Sequence, residues 1–168
     1  MSDLNQIIAL RDFIEADLES SVEMSVDPLV QQFLGGIKSR AEAERGFQYA
    51  IRNASKVPFP LKVIALSSGN KAVGYCGMQP LSDLGFEIFF GLNSKYWGRG
   101  FARYSVESYL DLYARDLAQV YAMVHPENDR SKNVLEATRF KFVKELFYEP
   151  QKAIHLLYHR AMLEERGI

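Results

Sequence analysis

The stretch Asn93-Ser94-Lys95-Tyr96-Trp97-Gly98-Arg99-Gly100-Phe101-Ala102 constrains this chain more than any other. Before it lies an apolar run, Phe86 to Leu92, that reads as a strand. After it, Ala102, Val106, Tyr109, Leu110 and Tyr113 recur every three or four residues, the period of a helix burying one face. A strand that turns through Gly-x-Gly into a helix offers unpaired N–H groups and the positive end of the helix dipole, so it favours a bound anion. Gly98 and Gly100 would let the backbone close on phosphate oxygens with no Cβ in the way, and Lys95 and Arg99 add positive charge. The pair alone is not decisive, since a plain glycine turn before an amphipathic helix explains it as well. A dinucleotide fingerprint would need a small residue where Arg103 stands and an acid at the end of the next strand, where the chain has Val120-Tyr121-Ala122. A Walker-type loop would close on Gly-Lys-Ser/Thr, which this turn lacks.

The rest of the chain builds a mixed α/β domain around that turn. Gln6 to Leu10 is apolar enough for an opening strand. Phe13-Ile14, Leu18 and Val22 then follow at helical spacing. Asp27-Pro28 and Gly35-Gly36 punctuate this segment, and Ala41 to Asn53 reads as a second helix, ended before Pro58 and Pro60. Lys62 to Leu66 and Ala72 to Met78 form a hairpin across Ser67-Ser68-Gly69-Asn70. Gln119 to Val124 is a further strand, broken by His125-Pro126-Glu127. Asn128 or Asp129 opens a short helix through Thr138. Strands at about Phe142 to Phe147 and Ala153 to His159 close the chain.

Composition removes several classes of function. At 168 residues, 48% apolar and 24% charged, the chain is sized and composed as one domain, residues 1–168, with its own core. Twenty basic and twenty-one acidic residues leave a net charge of -1, so no global field invites nucleic acid or an anionic membrane. Cys76 is the single cysteine, which excludes an internal disulfide and a multi-cysteine zinc site. It sits mid-strand as a small core residue. His155 and His159 would stand about 13 Å apart along one face of a strand, a poor metal pair. Met1-Ser2-Asp3-Leu4 has no basic lead, and apolar runs are only strand-sized. The expectation is a soluble, cytoplasmic protein.

A second motif changes the argument: His125-Pro126-Glu127-Asn128, then Ser131, then Phe140 after a short helix. Taken with Glu87 and with Tyr96-Trp97-Gly98-Arg99-Gly100-Phe101-Ala102, this ordered pair of motifs resembles the GNAT superfamily of acyl-CoA-dependent N-acetyltransferases. The resemblance is closer to the branch that contains the ribosomal-protein N-terminal acetyltransferases, and it covers most of the chain. Three positions depart from the family's pattern. Lys95 stands where Arg or Gln is usual, which keeps a hydrogen-bonding side chain. Arg139 stands where Gly usually caps the helix in the left-handed region, so it must accept strain or end the helix differently. Leu135 stands where many members carry a general-acid tyrosine.

The resemblance implies a single α/β (α+β) domain. Its central sheet would be mixed and mostly antiparallel, with six to seven strands, about four flanking helices and splayed central strands. It implies acetyl-CoA as cosubstrate, no metal, and direct attack by a primary amine in a ternary complex. The acceptor would be a protein N-terminus, an amino-acid derivative, a polyamine or an aminoglycoside. The cofactor-binding set it implies is Phe90, Gly91, Leu92, Lys95, Tyr96, Trp97, Gly98, Arg99, Gly100, Phe101, Ala102, Asn128 and Ser131. In that picture pantetheine pairs with the strand edge at Phe90 to Leu92, and the diphosphate lies on the amides of residues 97–102. A backbone N–H near Phe90 or Gly91 faces the thioester oxygen.

Glu87, an acid in an otherwise apolar strand, is the candidate general base, acting through water if burial raises its pKa. A solvent-facing strand glutamate is the competing explanation. Ser131 is the candidate acid, against an ordinary first-turn serine. Asn128 would contact the pantetheine arm, or serve only as a helix cap. His125 ends its strand as a structural residue. The acids Glu15 to Glu23 would help draw a cationic amine to the acceptor side, against the commoner explanation of a solvated helix face. A different class of function, an acyl-CoA-binding sensor without turnover, stays open, as does a homodimer by analogy with other small α/β enzymes.

Overall fold

A computed structural model describes residues 7–162, with the side chain of Ser55 left out. The opening strand β1 spans Ile8–Arg11. Gln6, which the sequence places in it, lies outside the described residues. Helices α1 (Leu18–Val26), α2 (Pro28–Gln31) and α3 (Arg40–Asn53) follow. The meander β2 (Lys62–Leu66), β3 (Ala72–Leu81) and β4 (Gly85–Leu92) comes next. Helix α4 (Phe101–Tyr113), strand β5 (Gln119–Val124) and helix α5 (Asp129–Ala137) lead to the hairpin β6 (Lys141–Tyr148) and β7 (Ala153–Ala161).

The seven strands form one sheet in the order β1-β2-β3-β4-β5-β7-β6. Every neighbouring pair is antiparallel except β4 and β5, which run parallel. That pair keeps a single register contact, Glu87 with Tyr121, whereas β3 and β4 are in register from Gly74/Leu92 to Leu81/Gly85. The sheet therefore opens between β4 and β5 as both strands run towards their C-terminal ends. This is the splay the family resemblance implies.

Local chemistry explains the helices. Ser39 caps α3 by accepting from the Glu42 amide, and the Glu42 carboxylate accepts in return from the Ser39 amide at 2.8 Å, a reciprocal capping box. Helix α2 corrects the reading of Asp27-Pro28 as punctuation. Asp27 accepts from the Leu29 amide at 2.9 Å and Pro28 is the first helical residue, a position where its missing N–H costs nothing. The described residues thus hold five α-helices rather than about four.

The core lies where α4 crosses the sheet. Val106, Tyr109 and Leu110 are fully buried against Ile64, Cys76, Ile88 and Val120. Burial of each such apolar side chain contributes about 1.5–3 kcal/mol. The buried stripe of α4 is Phe101, Ser105, Val106, Tyr109 and Leu110, so Ala102 and Tyr113, expected on it, sit half-buried at its flank. Tyr109 satisfies its hydroxyl by donating to the Pro60 carbonyl at 2.8 Å. Burial pushes the Cys76 thiol well above its ordinary range, which keeps it an unreactive core residue. Arg139 follows the C-cap Thr138 with φ of +64°. It accepts the left-handed conformation usually left to glycine, at a cost of about 1 kcal/mol. Among the described residues no helix is long and apolar enough to cross a membrane, and no cluster of His, Cys, Asp and Glu could hold a metal ion.

Candidate active site

The turn after β4 is built from its own side chains. Asn93 is buried and accepts from the Lys95 amide at 3.1 Å, opening a 3-10 turn over Ser94–Tyr96. The Trp97 indole donates back to the Leu92 carbonyl at 3.0 Å, pinning the turn to the strand. Gly98 and Gly100 both have positive φ, +75° and +79°. A Cβ on Gly98 would meet nothing within 4 Å, so its conformation and not crowding calls for glycine there. Gly100 is the N-cap of α4 and no side chain caps that helix end, which leaves its first amides to water or a ligand.

A cavity of about 400 Å³ lies against this turn. Phe90, Gly91, Leu92, Tyr96, Trp97, Gly98, Gly100, Phe101, Ala102, Asn128 and Ser131 line it, eleven of the thirteen residues the sequence assigns to the cofactor. Lys95 and Arg99 do not. Lys95 bonds the Glu23 carboxylate, and Arg99 lies over the Tyr96 ring at 5.3 Å and reaches the Lys95 carbonyl at 3.3 Å. The cations that do line the cavity are Arg103 and Arg130, the latter 4.3 Å above the Trp97 ring. The far wall is apolar: Leu29 and Val30 of α2, then Phe33, Leu34 and Val134. Gly91 is glycine for a different reason, because a Cβ there would come within 2.7 Å of the Tyr75 ring.

A smaller cavity of about 110 Å³ adjoins the first and shares Phe33, Leu34, Phe90, Asn128 and Ser131 with it. Glu87 lies on it and is 3% exposed, which rules out the solvent-facing alternative. Burial raises the Glu87 pKa above the ordinary carboxylate range, and hydrogen bonds from Gln79 and Tyr148 act the other way. Gln79 Nε2 donates to Glu87 Oε1 at 2.6 Å and the Tyr148 hydroxyl donates to the same oxygen at 3.0 Å. Asn128 caps α5, its Oδ1 accepting from the Ser131 amide at 3.1 Å, and it also faces both cavities. Ser131 is half-buried at the junction of the two.

An aromatic row continues from there. His125 stacks on Phe33 at 4.8 Å and meets His155 edge-on at 5.6 Å, and His155 packs on Tyr148 at 5.0 Å. His155 is buried, and that burial lowers its pKa. Sequence reasoning did not find Tyr148, Gln79, Arg103, Arg130 or the α2 wall. Tyr148 looks like any other aromatic residue of β6, and only the pairing of that hairpin beside β5 brings it to Glu87. Leu135, where a tyrosine acid is usual, is fully buried in the core.

Comparisons with known proteins bear on the fold and the family. The chain's fold is similar to an acetyltransferase of the GNAT family from Bacillus anthracis, with a TM-score of 0.78 at 18% identity over 93% of this chain and 95% of that one. It is also similar to RimL, a ribosomal L7/L12 alpha-N-protein acetyltransferase solved with coenzyme A, at TM-score 0.77 and 18% identity over 93% and 94% of the two chains. An aminoglycoside acetyltransferase, AAC(6')-Ib, in complex with coenzyme A aligns at TM-score 0.76 and 14% identity over 96% and 99%. The family model of the acetyltransferase (GNAT) domain matches residues 8–141. With motifs, sheet and cavity in agreement, the chain belongs to the GNAT acetyltransferase family.

Proposed function

We propose that this protein transfers an acetyl group from acetyl-CoA to a primary amine, a protein N-terminus or a small-molecule amine, in a ternary complex. One observation carries the reading: a buried carboxylate, Glu87, at the last register contact before β4 and β5 part, beside a cavity that runs to the glycine turn. The cavity's fit to coenzyme A rests on its uncapped helix end, the two positive-φ glycines and the arginines Arg103 and Arg130. These are donors and charges for phosphate, joined to an apolar wall for the pantetheine arm. The thioester supplies an activated acyl group, and the protein's residues do the rest.

The edge of β4 at Phe90 to Leu92 has no partner in register on the β5 side, so the peptide groups that face that side, apart from the Leu92 carbonyl that accepts from the Trp97 indole, can bind the pantetheine amides as an added strand would. A backbone N–H at Phe90 or Gly91 steadies the carbonyl oxygen as charge builds on it. Glu87, through a water in the smaller cavity, accepts the amine proton as the new C–N bond forms and the C–S bond breaks. Ser131, at the junction, relays a proton from water to the departing sulfur, its hydroxyl taking one proton as it gives up the other. With Leu135 in the core, that proton has no tyrosine source on α5 at the family's usual place.

Isothermal titration with acetyl-CoA, followed by a panel of amines read through free-thiol release, tests the proposal. Saturable binding together with thiol release dependent on an amine supports it. Binding without turnover on any amine would point instead to an acyl-CoA sensor.

A further inference from the structure

Two hydrogen-bond donors from strands on opposite sides of β4, its neighbour β3 and the edge strand β6, converge on one oxygen of Glu87. Gln79 belongs to β3, directly across from Glu87 in the β3–β4 register, and its Nε2 lies 2.6 Å from Oε1. Tyr148 ends β6, sixty-one residues away in sequence, and its hydroxyl lies 3.0 Å from the same Oε1. Oε2 makes no hydrogen bond among the described residues, yet it is not one of the side-chain atoms sealed from solvent without a partner. Oε1 is thus held by two donors, while Oε2, on a residue that lines the smaller cavity, has neither of them. A carboxylate tethered this way keeps one orientation, and its second oxygen has a fixed direction for proton transfer.

We propose that Tyr148, with Gln79, is a positioning residue that fixes the Glu87 carboxylate and presents Oε2 to the acceptor side of the site. The proposal rests on the reading of Glu87 as general base given above. Tyr148 is itself steadied by the His155 ring at 5.0 Å, and His155 Nε2 lies 3.1 Å from Gln151 Oε1 in the turn between β6 and β7. The β6–β7 hairpin therefore reaches the reacting carboxylate through one phenol. Besides Glu87, the titratable groups lining the smaller cavity are Tyr148 from β6, His155 from β7 and His125 at the end of β5, and no Asp, Lys or Arg lines it. With no Lys or Arg there, the neutral donors of Gln79 and Tyr148 are the hydrogen bonds that favour the ionised form of Glu87.

The sign of the effect follows. Removing either donor makes ionisation of Glu87 harder, so activity falls most at low pH and recovers as pH rises. Tyr148→Phe keeps the ring and its packing. It is expected to lose about tenfold in kcat/KM on the acid side of the profile and to approach wild type on the alkaline side, with KM for acetyl-CoA unchanged. Gln79→Leu, which removes the shorter of the two hydrogen bonds, is expected to do the same. A carbon-13 NMR titration of the Glu87 carboxyl, assigned with Glu87→Gln, reads the effect without turnover and is expected to show a higher midpoint in both variants. An unmoved midpoint in both would overturn the proposal alone. A fully active Glu87→Gln variant would remove the base reading beneath it, and the proposal with it.

Discussion

The Ser94 hydroxyl donates to Asp27 Oδ2 at 2.7 Å, tying the turn after β4 to the cap of α2 across sixty-seven residues of sequence. Asp27 uses its other oxygen to cap Leu29. One carboxylate therefore sets the position of the helix whose Leu29 and Val30 form the apolar wall of the larger cavity. Asp27→Ala is expected to lower stability by about 1–2 kcal/mol, through the lost cap and the lost charged hydrogen bond. Ser94→Ala should cost about 1 kcal/mol, and the double variant little more than Asp27→Ala alone, because the two act through one contact. Urea denaturation of the three variants checks this.

Glu87 and Ser131 separate chemistry from binding. Glu87→Gln keeps shape and hydrogen-bonding partners but cannot accept a proton, so kcat is expected to fall on the order of a hundredfold or more. Ser131→Ala is expected to cost about tenfold. Both should retain acetyl-CoA binding by calorimetry, since Glu87 does not line the larger cavity and Ser131→Ala removes one hydroxyl from its wall with the glycine turn untouched.

The cations of the site can be ranked. Arg130 and Arg103 line the larger cavity, whereas Lys95 is paired with Glu23 outside it. Arg130→Ala is expected to weaken acetyl-CoA binding about tenfold at low ionic strength and less in high salt. Lys95→Ala should change affinity by less than about twofold, as expected for an exposed pair. Titration at two salt concentrations distinguishes them.

Acid should loosen the first helix. Asp17 is buried and takes two hydrogen bonds from Arg11, at 2.7 and 2.8 Å, and one from the Ile14 amide at 2.9 Å. Burial alone would raise its pKa, but the Arg11 and Ile14 hydrogen bonds outweigh burial and hold it below the ordinary value of 3.8. A carboxylate lowered in the folded state stabilises the fold above its unfolded pKa and stops doing so as pH falls through the folded value. Asp17→Asn is therefore expected to cost about 2–3 kcal/mol at pH 7, with the gap to wild type narrowing below about pH 4. Urea midpoints at neutral and acid pH measure it.

What the sequence made legible was whatever local chemistry decides. Strands β2 and β5 have the expected bounds, Lys62–Leu66 and Gln119–Val124, because short apolar runs there are cut sharply by turn residues. Helix α5 begins at the Asn128 cap that its side chain announces. Proline misled at α2, since the same residue that breaks a helix also starts one. Charge along the sequence did not show which cations line the cavity, since Lys95 bonds Glu23 and Arg130 comes to the cavity from α5. Gln79 and Tyr148 were out of reach for a related reason. Their role comes from which strands lie side by side, and no local pattern encodes that.

The lone register contact between Glu87 and Tyr121 has a further consequence. A continuous sheet would spread its cohesion across seven strands, but here β1 to β4 and the trio β5, β7 and β6 meet along a seam that is barely stitched. Such a seam should breathe, and its two lips should exchange amide protons faster than the flanking ladders. A molecule that bridges the lips would slow both at once and raise the melting temperature with its concentration, so acetyl-CoA, bound there as proposed, would serve as the missing strand of the architecture.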